Sequence, residues 1–388
     1  MNTPTPPAGP FDHQPRTRIV FGIDAAARVG ELARETGLKR VLLVTDPGVM
    51  SAGHADRIRQ SLEKAGVETT VFNKVRENPT TADVDACLAA AREAGIDGIV
   101  GLGGGSSMDT AKGCNFLLTN GGKMQDYWGV GKAARPMLPL IAIPTTAGTG
   151  SECQSFALIA DVATHQKMAC GDPKAAARIA LLDPALTLSQ PPRVAACTGL
   201  DALSHALETA VTKKRNALSL AYSREALRLC LTALPKVLQK GGDVDARSGM
   251  LLGAALGGLA IENSMLGAAH AAANPLTAHF HLVHGQAVGM MLPAVIRFNA
   301  AHPETALLYE ELGETKAAAL AAKVEWLLNL AGMPRSLAEC SITPSSIPML
   351  AAEAARQWTA GFNPRPVGEK DFVQMFEAAF TPRRLDAS

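Results

Sequence analysis

The first half of the chain alternates short apolar runs with longer segments that repeat every three to four residues. Apolar runs rich in Val, Ile and Leu lie at 41–45, 98–102 and 138–143, and the Ala-rich segment 82–94 has helical spacing. Strands that alternate with helices form parallel sheets through βαβ crossovers. The pattern therefore predicts an α/β domain built on a parallel sheet.

The second half has a different pattern, in which strand-like runs are scarce and Ala and Leu recur with helical spacing. Four segments carry this period, at 195–210, 217–239, 246–273 and 316–331. The change falls near Asp183–Pro192, where two prolines adjoin polar residues. We therefore predict a flexible arm over residues 1–15, an α/β domain over 16–188 and an all-helical domain over 189–388.

Composition and charge narrow the class of protein. Hydrophobic residues make up 47% of the 388, which is enough to bury a sizeable core. The 37 basic and 36 acidic residues give a net charge of +1, which argues against nucleic acid or a membrane as a partner. The seven cysteines include no CxxC pair, so a disulfide framework and a cysteine-ligated zinc site are both disfavoured.

The chain also gives no sign of export or of membrane insertion. Its first fifteen residues are rich in proline and lack a basic segment followed by an apolar one. No uncharged apolar run reaches the roughly 18 residues of a membrane span; Met250–Ile261 comes nearest and Glu262 ends it. We expect a cytoplasmic protein.

A glycine-rich turn follows the second of the predicted strands. Gly103, Gly104, Gly105 and Ser106 lie between the strand at 98–102 and a helical segment. Glycines let the backbone approach a ligand closely, and a helix N-terminus offers free N–H groups to a phosphate. The alternative is an ordinary tight βα turn in which Ser106 is the N-cap and Asp109 occupies the third helical position.

The turns after the other two strands should lie at the same edge as the glycine-rich turn, because parallel strands all end there. In open α/β sheets, ligands bind at this edge, beyond the carboxyl ends of the strands. Thr145, Thr146 and Thr149 follow the strand at 138–143, and their hydroxyls suit a pyrophosphate or a ribose; an ordinary solvated loop is the alternative.

Asp46 ends the strand at 41–45, where a carboxylate can bind ribose hydroxyls and repel a 2′-phosphate. Its alternative role is a helix cap before Pro47.

One aspartate and several histidines stand out in the helical half. Asp201 and His205 are four residues apart and share a helix face, and His270 and His284 follow in another apolar stretch that also contains His279 and His281. Buried Asp and His need partners, and one carboxylate with neutral imidazoles suits Fe²⁺, Zn²⁺ or Mn²⁺. A surface ion pair and hydrogen-bonded core histidines are the alternatives. No function is assigned to the remaining histidines, His13, His54, His165 and His302.

Together these motifs resemble the iron-containing (group III) alcohol dehydrogenase family. The resemblance extends from Phe21 to Asn299 and rests on stretches such as GGGSSMDTAK, PTTAGTGSE, GLDALSHALE and GAAHAAANPLTAHFHLVHG. It implies a dehydroquinate synthase-like fold, in which a Rossmann-like nucleotide-binding α/β domain precedes a helical metal-binding domain, with the active site in the cleft. It also implies NAD(P)-dependent interconversion of a small alcohol and its aldehyde or ketone, in a homodimer or larger homo-oligomer.

The resemblance assigns roles to individual residues. The metal ligands, and with them the catalytic residues, would be Asp201, His205, His270 and His284, with Fe²⁺ favoured over Zn²⁺ or Mn²⁺. The metal would act as a Lewis acid on the substrate oxygen while hydride passes to or from the nicotinamide. The acid at Asp46 favours NAD over NADP. The other residues expected at the cofactor are Asn78, Gly103, Gly104, Gly105, Ser106, Asp109, Thr145, Thr146, Thr149 and Lys167.

One position departs from the family pattern. Many members have HxxxH where this chain has His270 followed by Asn274, and the second histidine is thought to relay a proton to solvent. Asn274 does not titrate near neutral pH. Either His279 or His281 replaces it, or the proton leaves through the nicotinamide ribose and water.

Two other functions stay open at this stage. A maleylacetate reductase or another specialised carbonyl reductase of the same superfamily would need basic residues near the histidines, and none cluster there. A non-catalytic protein that binds NAD and metal is the second alternative, and the complete set of candidate ligands argues against it.

Overall fold

The structure, a computed structural model, describes residues 9–164, 166–313 and 315–380. Residues 1–8 of the predicted arm, and His165, lie outside the described residues. The chain divides into two compact units: Gln14–Gln190, here the α/β unit, and Pro191–Ser388 together with Met1–His13, here the helical unit.

The α/β unit contains a six-stranded sheet in the order β1-β9-β6-β4-β2-β3, in which every neighbouring pair is parallel. A smaller three-stranded sheet has the order β5-β8-β7. The strands are β1 (Arg18–Phe21), β2 (Arg40–Val44), β3 (Glu68–Phe72), β4 (Gly98–Gly103), β5 (Gly129–Val130), β6 (Leu140–Pro144), β7 (Phe156–Ala160), β8 (Lys167–Gly171) and β9 (Ile179–Leu182). The helices are α1 (Val29–Glu35), α2 (Pro47–Ser51), α3 (His54–Lys64), α4 (Thr81–Ala94) and α5 (Gly105–Asn120).

The three strands predicted from the apolar runs are confirmed, and they are neighbours in the large sheet as β6, β4 and β2. Their alternate side chains fill two separate cores. Leu42 of β2 packs in the core that includes α4 and α5, whereas Leu43 packs in the core that includes α1 and α3. Burial on both faces explains why these strands are continuously apolar. Because the strands are parallel, the turns after β2, β4 and β6 meet at one edge.

The helical unit is all-helical among its described residues, as the periodicity predicts. The fold class is confirmed. Its helices are α6 (Pro192–Val211), α7 (Ala217–Gln239), α8 (Val244–Glu262), α9 (Ala268–Phe280), α10 (His284–Ala300), α11 (Pro303–Gly313), α12 (Ala317–Leu330), α13 (Ile347–Arg356) and α14 (Glu369–Phe380).

The single helical segment predicted at 246–273 is wrong, because the structure ends one helix at Glu262 and begins another at Ala268. Side chains stop the first helix: Asn263 donates to the carbonyl of Leu259 at 2.8 Å, and Ser264 to that of Ala260 at 2.6 Å. Such local bonds compete with helix continuation. The break gives α9 a new N-terminus at Ala268, two residues before His270.

Helix α8 is long and apolar enough, by length and composition alone, to cross a membrane. It is the one such helix in the part of the chain that the structure describes. Most of its apolar window, 61%, is buried inside the protein, against α6 and α7. It is a core helix.

Helices α6 and α10 come close together at Gly285. A Cβ added there would lie 2.0 Å from the carbonyl oxygen of Cys197 and 3.2 Å from the Cβ of Asp201. Real Cβ atoms do not come so near a backbone oxygen, so only glycine fits. The contact fixes the start of α10, and therefore His284, against the middle of α6.

We predict that Gly285→Ala destabilises the protein by about 3 kcal/mol, because the methyl group would force the two helix backbones apart. Urea unfolding measures the change. Gly242→Ala is the control, since a Cβ there meets nothing within 4 Å. Equal stability of the two variants would contradict the close approach.

Candidate metal and cofactor sites

The glycine turn between β4 and α5 is closely packed and leaves the first amides of α5 without a side-chain cap. Strand β4 ends at Gly103, whose φ is 144°, and an added Cβ there would lie 2.4 Å from Ser107 Oγ. Helix α5 begins at Gly105 with Gly104 as its N-cap, and a glycine has no side chain to bond the first amides of the helix. Ser106 as the N-cap is therefore wrong. Its hydroxyl accepts instead from the backbone N–H of Asn78 at 3.3 Å.

The threonine loop lies directly against this turn. A Cβ at Gly104 would be 3.3 Å from Thr146 Oγ1, and one at Gly105 would be 2.8 Å from the methyl group of Thr149. The backbone N–H of Thr145 donates to the carbonyl of Gly103 at 3.0 Å. The structure thus brings the threonine loop, Asn78 and the glycine turn together at one edge of the sheet.

Asp46 also reaches this edge and caps a helix. Its Oδ1 accepts from the backbone N–H of Val49 at 3.0 Å, which confirms the capping role weighed from the sequence. Its Oδ2 accepts from Ser107 Oγ at 3.5 Å and lies 3.0 Å from the position of a Cβ on Gly103. A carboxylate beside the glycine turn can cap α2 and also bind ribose hydroxyls, so the ribose contact stays a prediction.

The remaining two predicted cofactor residues, Lys167 and Asp109, lie on β8 and α5. Lys167 is the exposed first residue of β8 in the small sheet. Asp109 is buried on α5, where it accepts from Ser151 Oγ at 3.1 Å. Burial raises the pKa of Asp109, against the opposite effect of Lys112 and Lys167.

Sequence analysis missed a group of buried charges next to Asp109. Lys112 is fully buried, and Glu152 is 2% exposed with an Oε1 that has no hydrogen-bond partner. Burial raises the pKa of Glu152 to about 7, although Lys112 opposes the shift. Both residues are part of the quoted family stretches, but only the tertiary fold shows that they are buried together.

The helical unit gathers the four predicted metal ligands around one oxygen atom. Asp201 Oδ1 lies 3.4 Å from Nε2 of His205, 3.5 Å from Nε2 of His270 and 3.9 Å from Nε2 of His284. Asp201 and His270 are each 4% exposed, and the side chain of His284 is 30% exposed. The ligating atoms of Asp201, His270 and His284 lie within 4.8 Å of one another.

These residues fit a divalent cation. Asp201 Oδ1 and His270 Nε2 are buried without a hydrogen-bond partner, and an unsatisfied polar atom is costly in a protein interior. Burial raises the pKa of Asp201, but the surrounding histidines outweigh it and hold this pKa far below the usual range. A carboxylate that stays ionised, with imidazole nitrogens directed toward it, is a typical ligand set for Fe²⁺, Zn²⁺ or Mn²⁺.

Glu208 completes the site and was not predicted. One of its oxygens accepts from the backbone N–H of Ala269 at 2.7 Å, and the other contacts Nδ1 of His270 at 2.5 Å. Burial lowers the pKa of His270, but Glu208 and Asp201 outweigh it and raise this pKa to about 9. With the Nδ1 proton bonded to Glu208, Nε2 is the nitrogen that would ligate a metal once its own proton is displaced, as in other carboxylate–histidine–metal arrangements. The spacing of seven residues from Asp201 was the available signal, since it places Glu208 on the same face of α6.

Asn274 and His279 both have partners away from the four predicted ligands. Asn274 Nδ2 donates to Gln357 Oε1 at 3.0 Å. His279 pairs with Glu353 at 2.9 Å, and His281 ends α9 in the left-handed conformation with a φ of 53°. His13 bonds Asn263 and His54 bonds Ser189.

Comparison with known proteins identifies the class. Residues 15–184 match the family "Iron-containing alcohol dehydrogenase", and residues 195–380 match "Fe-containing alcohol dehydrogenase family, C-terminal". The chain therefore belongs to the iron-containing alcohol dehydrogenase family and is an oxidoreductase, as the resemblance implied.

Individual relatives agree over nearly the whole chain. It is 34% identical to the NAD-dependent methanol dehydrogenase of Bacillus methanolicus, over 93% of this chain and 97% of that one. It is 36% identical to the choline dehydrogenase of Bacillus subtilis (strain 168), over 95% of both chains. A crystal structure of 1,3-propanediol oxidoreductase is 32% identical and superposes with a TM-score of 0.92, covering 96% of this chain and all of that one.

We predict that Glu152→Gln removes part of the pH dependence of stability. The pKa of Glu152 is raised from 4.5 to about 7 on folding, so its contribution to stability is complete at low pH and decreases as the pH rises through 7. A shift of this size corresponds to ~3 kcal/mol. Urea unfolding at about pH 5 and about pH 8 measures the difference.

The matched control is Glu93→Gln, which changes an exposed glutamate of α4. We expect Glu152→Gln to lose less stability than wild type or the control between the two pH values. Identical pH profiles for all three proteins would show that Glu152 does not hold its proton in the folded state.

Proposed function

We propose that this protein interconverts a small alcohol and its aldehyde or ketone, with NAD as the hydride carrier. The observation that carries the proposal is the buried group of one carboxylate and three imidazoles around Asp201 Oδ1. The methanol dehydrogenase relative supports the choice of NAD, because its name states NAD dependence. The substrates named among the relatives are small alcohols, and the exact alcohol is left open.

The catalytic unit of the proposal is Asp201, His205, His270 and His284, which hold one divalent cation. Fe²⁺ is favoured by the family, with Zn²⁺ or Mn²⁺ as alternatives. The cation supplies Lewis acidity to the substrate oxygen, and the nicotinamide supplies or accepts the hydride. Glu208 holds the proton on Nδ1 of His270 and fixes the plane of that ring. Gly285 lets α10 carry His284 close to α6.

In this proposal, the cofactor edge of the α/β unit, formed by the turns after β2, β4 and β6, binds the dinucleotide mainly through backbone groups. We assign the pyrophosphate to the amides of Gly103–Ser106 at the start of α5, with Thr146 and Thr149 beside it. Asp46 is assigned to the ribose hydroxyls and disfavours NADP, because a 2′-phosphate would meet its carboxylate. Asn78 lies beside Ser106 and completes this edge. Asp109, Thr145 and Lys167 remain predicted cofactor residues.

The alternatives are less well supported. A maleylacetate reductase-like enzyme would need basic residues to bind a dicarboxylate, and Lys214, in the basic run after α6, lies over the ring of Phe362 at 4.9 Å. A non-catalytic protein is disfavoured because the relatives that match nearly the whole chain are dehydrogenases. We also propose a cytoplasmic homodimer or larger homo-oligomer, as the family resemblance implies.

We predict that His270→Ala and His284→Ala each lower the metal content of the purified protein by at least about tenfold, because each removes a ligand. Alcohol oxidation with NAD⁺ should fall with the metal. Elemental analysis of anaerobically purified protein gives the first quantity, and NADH absorbance gives the second.

His279→Ala is the control for metal content, since His279 pairs with Glu353 and is not among the proposed ligands. It should retain the metal of wild type. Full metal content in His270→Ala would refute the proposed ligand set.

We predict that Asp46→Gly relaxes cofactor choice, because it removes the carboxylate that would repel a 2′-phosphate. The ratio of kcat/KM for NAD⁺ to that for NADP⁺ should fall by about tenfold or more, an effect of roughly 1.4 kcal/mol. Glycine is itself an acceptable N-cap, so loss of the Asp46 cap on α2 should cost only a few tenths of a kcal/mol of stability, and a thermal melt measures this effect separately. A higher kcat/KM with NADP⁺ in wild type would overturn the assignment.

A further inference from the structure

Lys112 is a fully buried lysine on the helix that begins at the glycine turn. Its Nζ donates to the carbonyl oxygen of Ser151 at 2.6 Å, to Ser151 Oγ at 2.9 Å and to the carbonyl oxygen of Phe156 at 2.9 Å. An ammonium group has three donors, and protein atoms account for all three. A lysine after a glycine-rich turn suggests a phosphate ligand, but this one has no proton left to donate.

A second residue of α5 contacts the same serine. Asp109, one turn before Lys112, accepts from Ser151 Oγ at 3.1 Å. The opposite charges of Asp109 and Lys112 balance, which makes their burial tolerable. Ser151 is therefore held from two successive turns of α5. We call Asp109, Lys112 and Ser151 the loop clamp.

The loop clamp acts on the residue that lies against the glycine turn. The backbone N–H of Ser151 donates to Thr149 Oγ1 at 3.3 Å, and Gln154 Nε2 donates to the carbonyl of Thr149 at 2.7 Å. Gly150, between Thr149 and Ser151, turns the chain with a φ of 61°. The methyl group of Thr149 then lies 2.8 Å from where a Cβ on Gly105 would be. Moving Ser151 would therefore move Thr149 relative to the first turn of α5.

We propose that Lys112 is a positioning residue for the cofactor: it holds the threonine loop against the glycine turn through Ser151 and thereby sets the affinity for the dinucleotide. The inference rests on the proposed function, since it takes this edge as the NAD site. Lys112 itself contacts no part of the cofactor in this proposal. Its effect reaches the pyrophosphate through the backbone of Ser151 and Thr149.

The test compares Lys112→Met, which keeps the length of the side chain but removes its charge and donors, with wild type. NADH affinity is measured by titration of nucleotide fluorescence in the metal-loaded protein. We expect Kd for NADH and KM for NAD⁺ to rise about tenfold to a hundredfold, the effect of losing hydrogen bonds to a charged group. Because the metal-binding residues lie in the helical unit, metal content should not change, and kcat at saturating NAD⁺ should stay within about threefold.

Ser151→Ala is the second variant and keeps the test informative if Lys112→Met does not fold. It removes the hydroxyl shared by Lys112 and Asp109 but leaves the carbonyl contact, so we expect a smaller rise in Kd, of about threefold to tenfold. The control is Asn115→Leu, which breaks buried hydrogen bonds of the same helix to Leu138, away from the threonine loop. It should lower Tm and leave Kd for NADH unchanged.

The inference would be overturned if Lys112→Met and Ser151→Ala both bind NADH with the wild-type Kd while their Tm is lowered as in Asn115→Leu. The clamp would then serve stability alone. The proposed function would survive that result. Wild-type protein that binds no NADH would overturn the proposed function, and this inference with it. A shift in Kd for the two clamp variants but not for Asn115→Leu supports the positioning role.

Discussion

The helical unit is organised around the buried carboxylate of Asp201. A carboxylate in an apolar interior is tolerated only where opposite charges, donors or a metal ion compensate it. Three imidazoles surround its Oδ1, and Glu208 fixes the ring of His270 from behind. Removing one member would leave the rest buried without compensation, so these residues act as a single constellation.

The packing of the helices serves this constellation. Gly267 lets the start of α9 come close to Glu208 of α6, since a Cβ there would lie 3.0 Å from Glu208 Oε1. Gly285 does the same for α10. The break between α8 and α9 creates the helix start whose amide at Ala269 bonds Glu208. The chemistry of the site thus depends on small residues as much as on its ligands.

The proposed role of the α/β unit is to bind the dinucleotide. A dinucleotide is bound largely through phosphates, which backbone amides and glycine turns recognise without side-chain charge. Charged side chains contribute as supports: in the proposed arrangement the ammonium of Lys112 holds the threonine loop, and Asp46 caps α2 while lying beside Gly103.

Much of this could be predicted from the sequence, for physical reasons that differ between elements. Strands β2, β4 and β6 are buried on both faces, so their apolar runs are unambiguous, and Asp201 and His205 share a helix face by spacing alone. The end of α8 was missed because Asn263 and Ser264 act through local hydrogen bonds that leave the apolar period intact. Glu208 and Lys112 were missed because their roles depend on residues 62 and 39 positions away.

The central claim is that Asp201 and its three histidines form one metal centre on which alcohol oxidation depends. Titrating metal-depleted protein anaerobically with Fe²⁺, or with Zn²⁺ or Mn²⁺, while following NADH formation from a panel of short alcohols tests it most directly. The account predicts that activity rises linearly and reaches a plateau at about one ion per chain, as expected for tight binding at a single site. Full activity of the metal-depleted protein, or a plateau without any turnover, would contradict it.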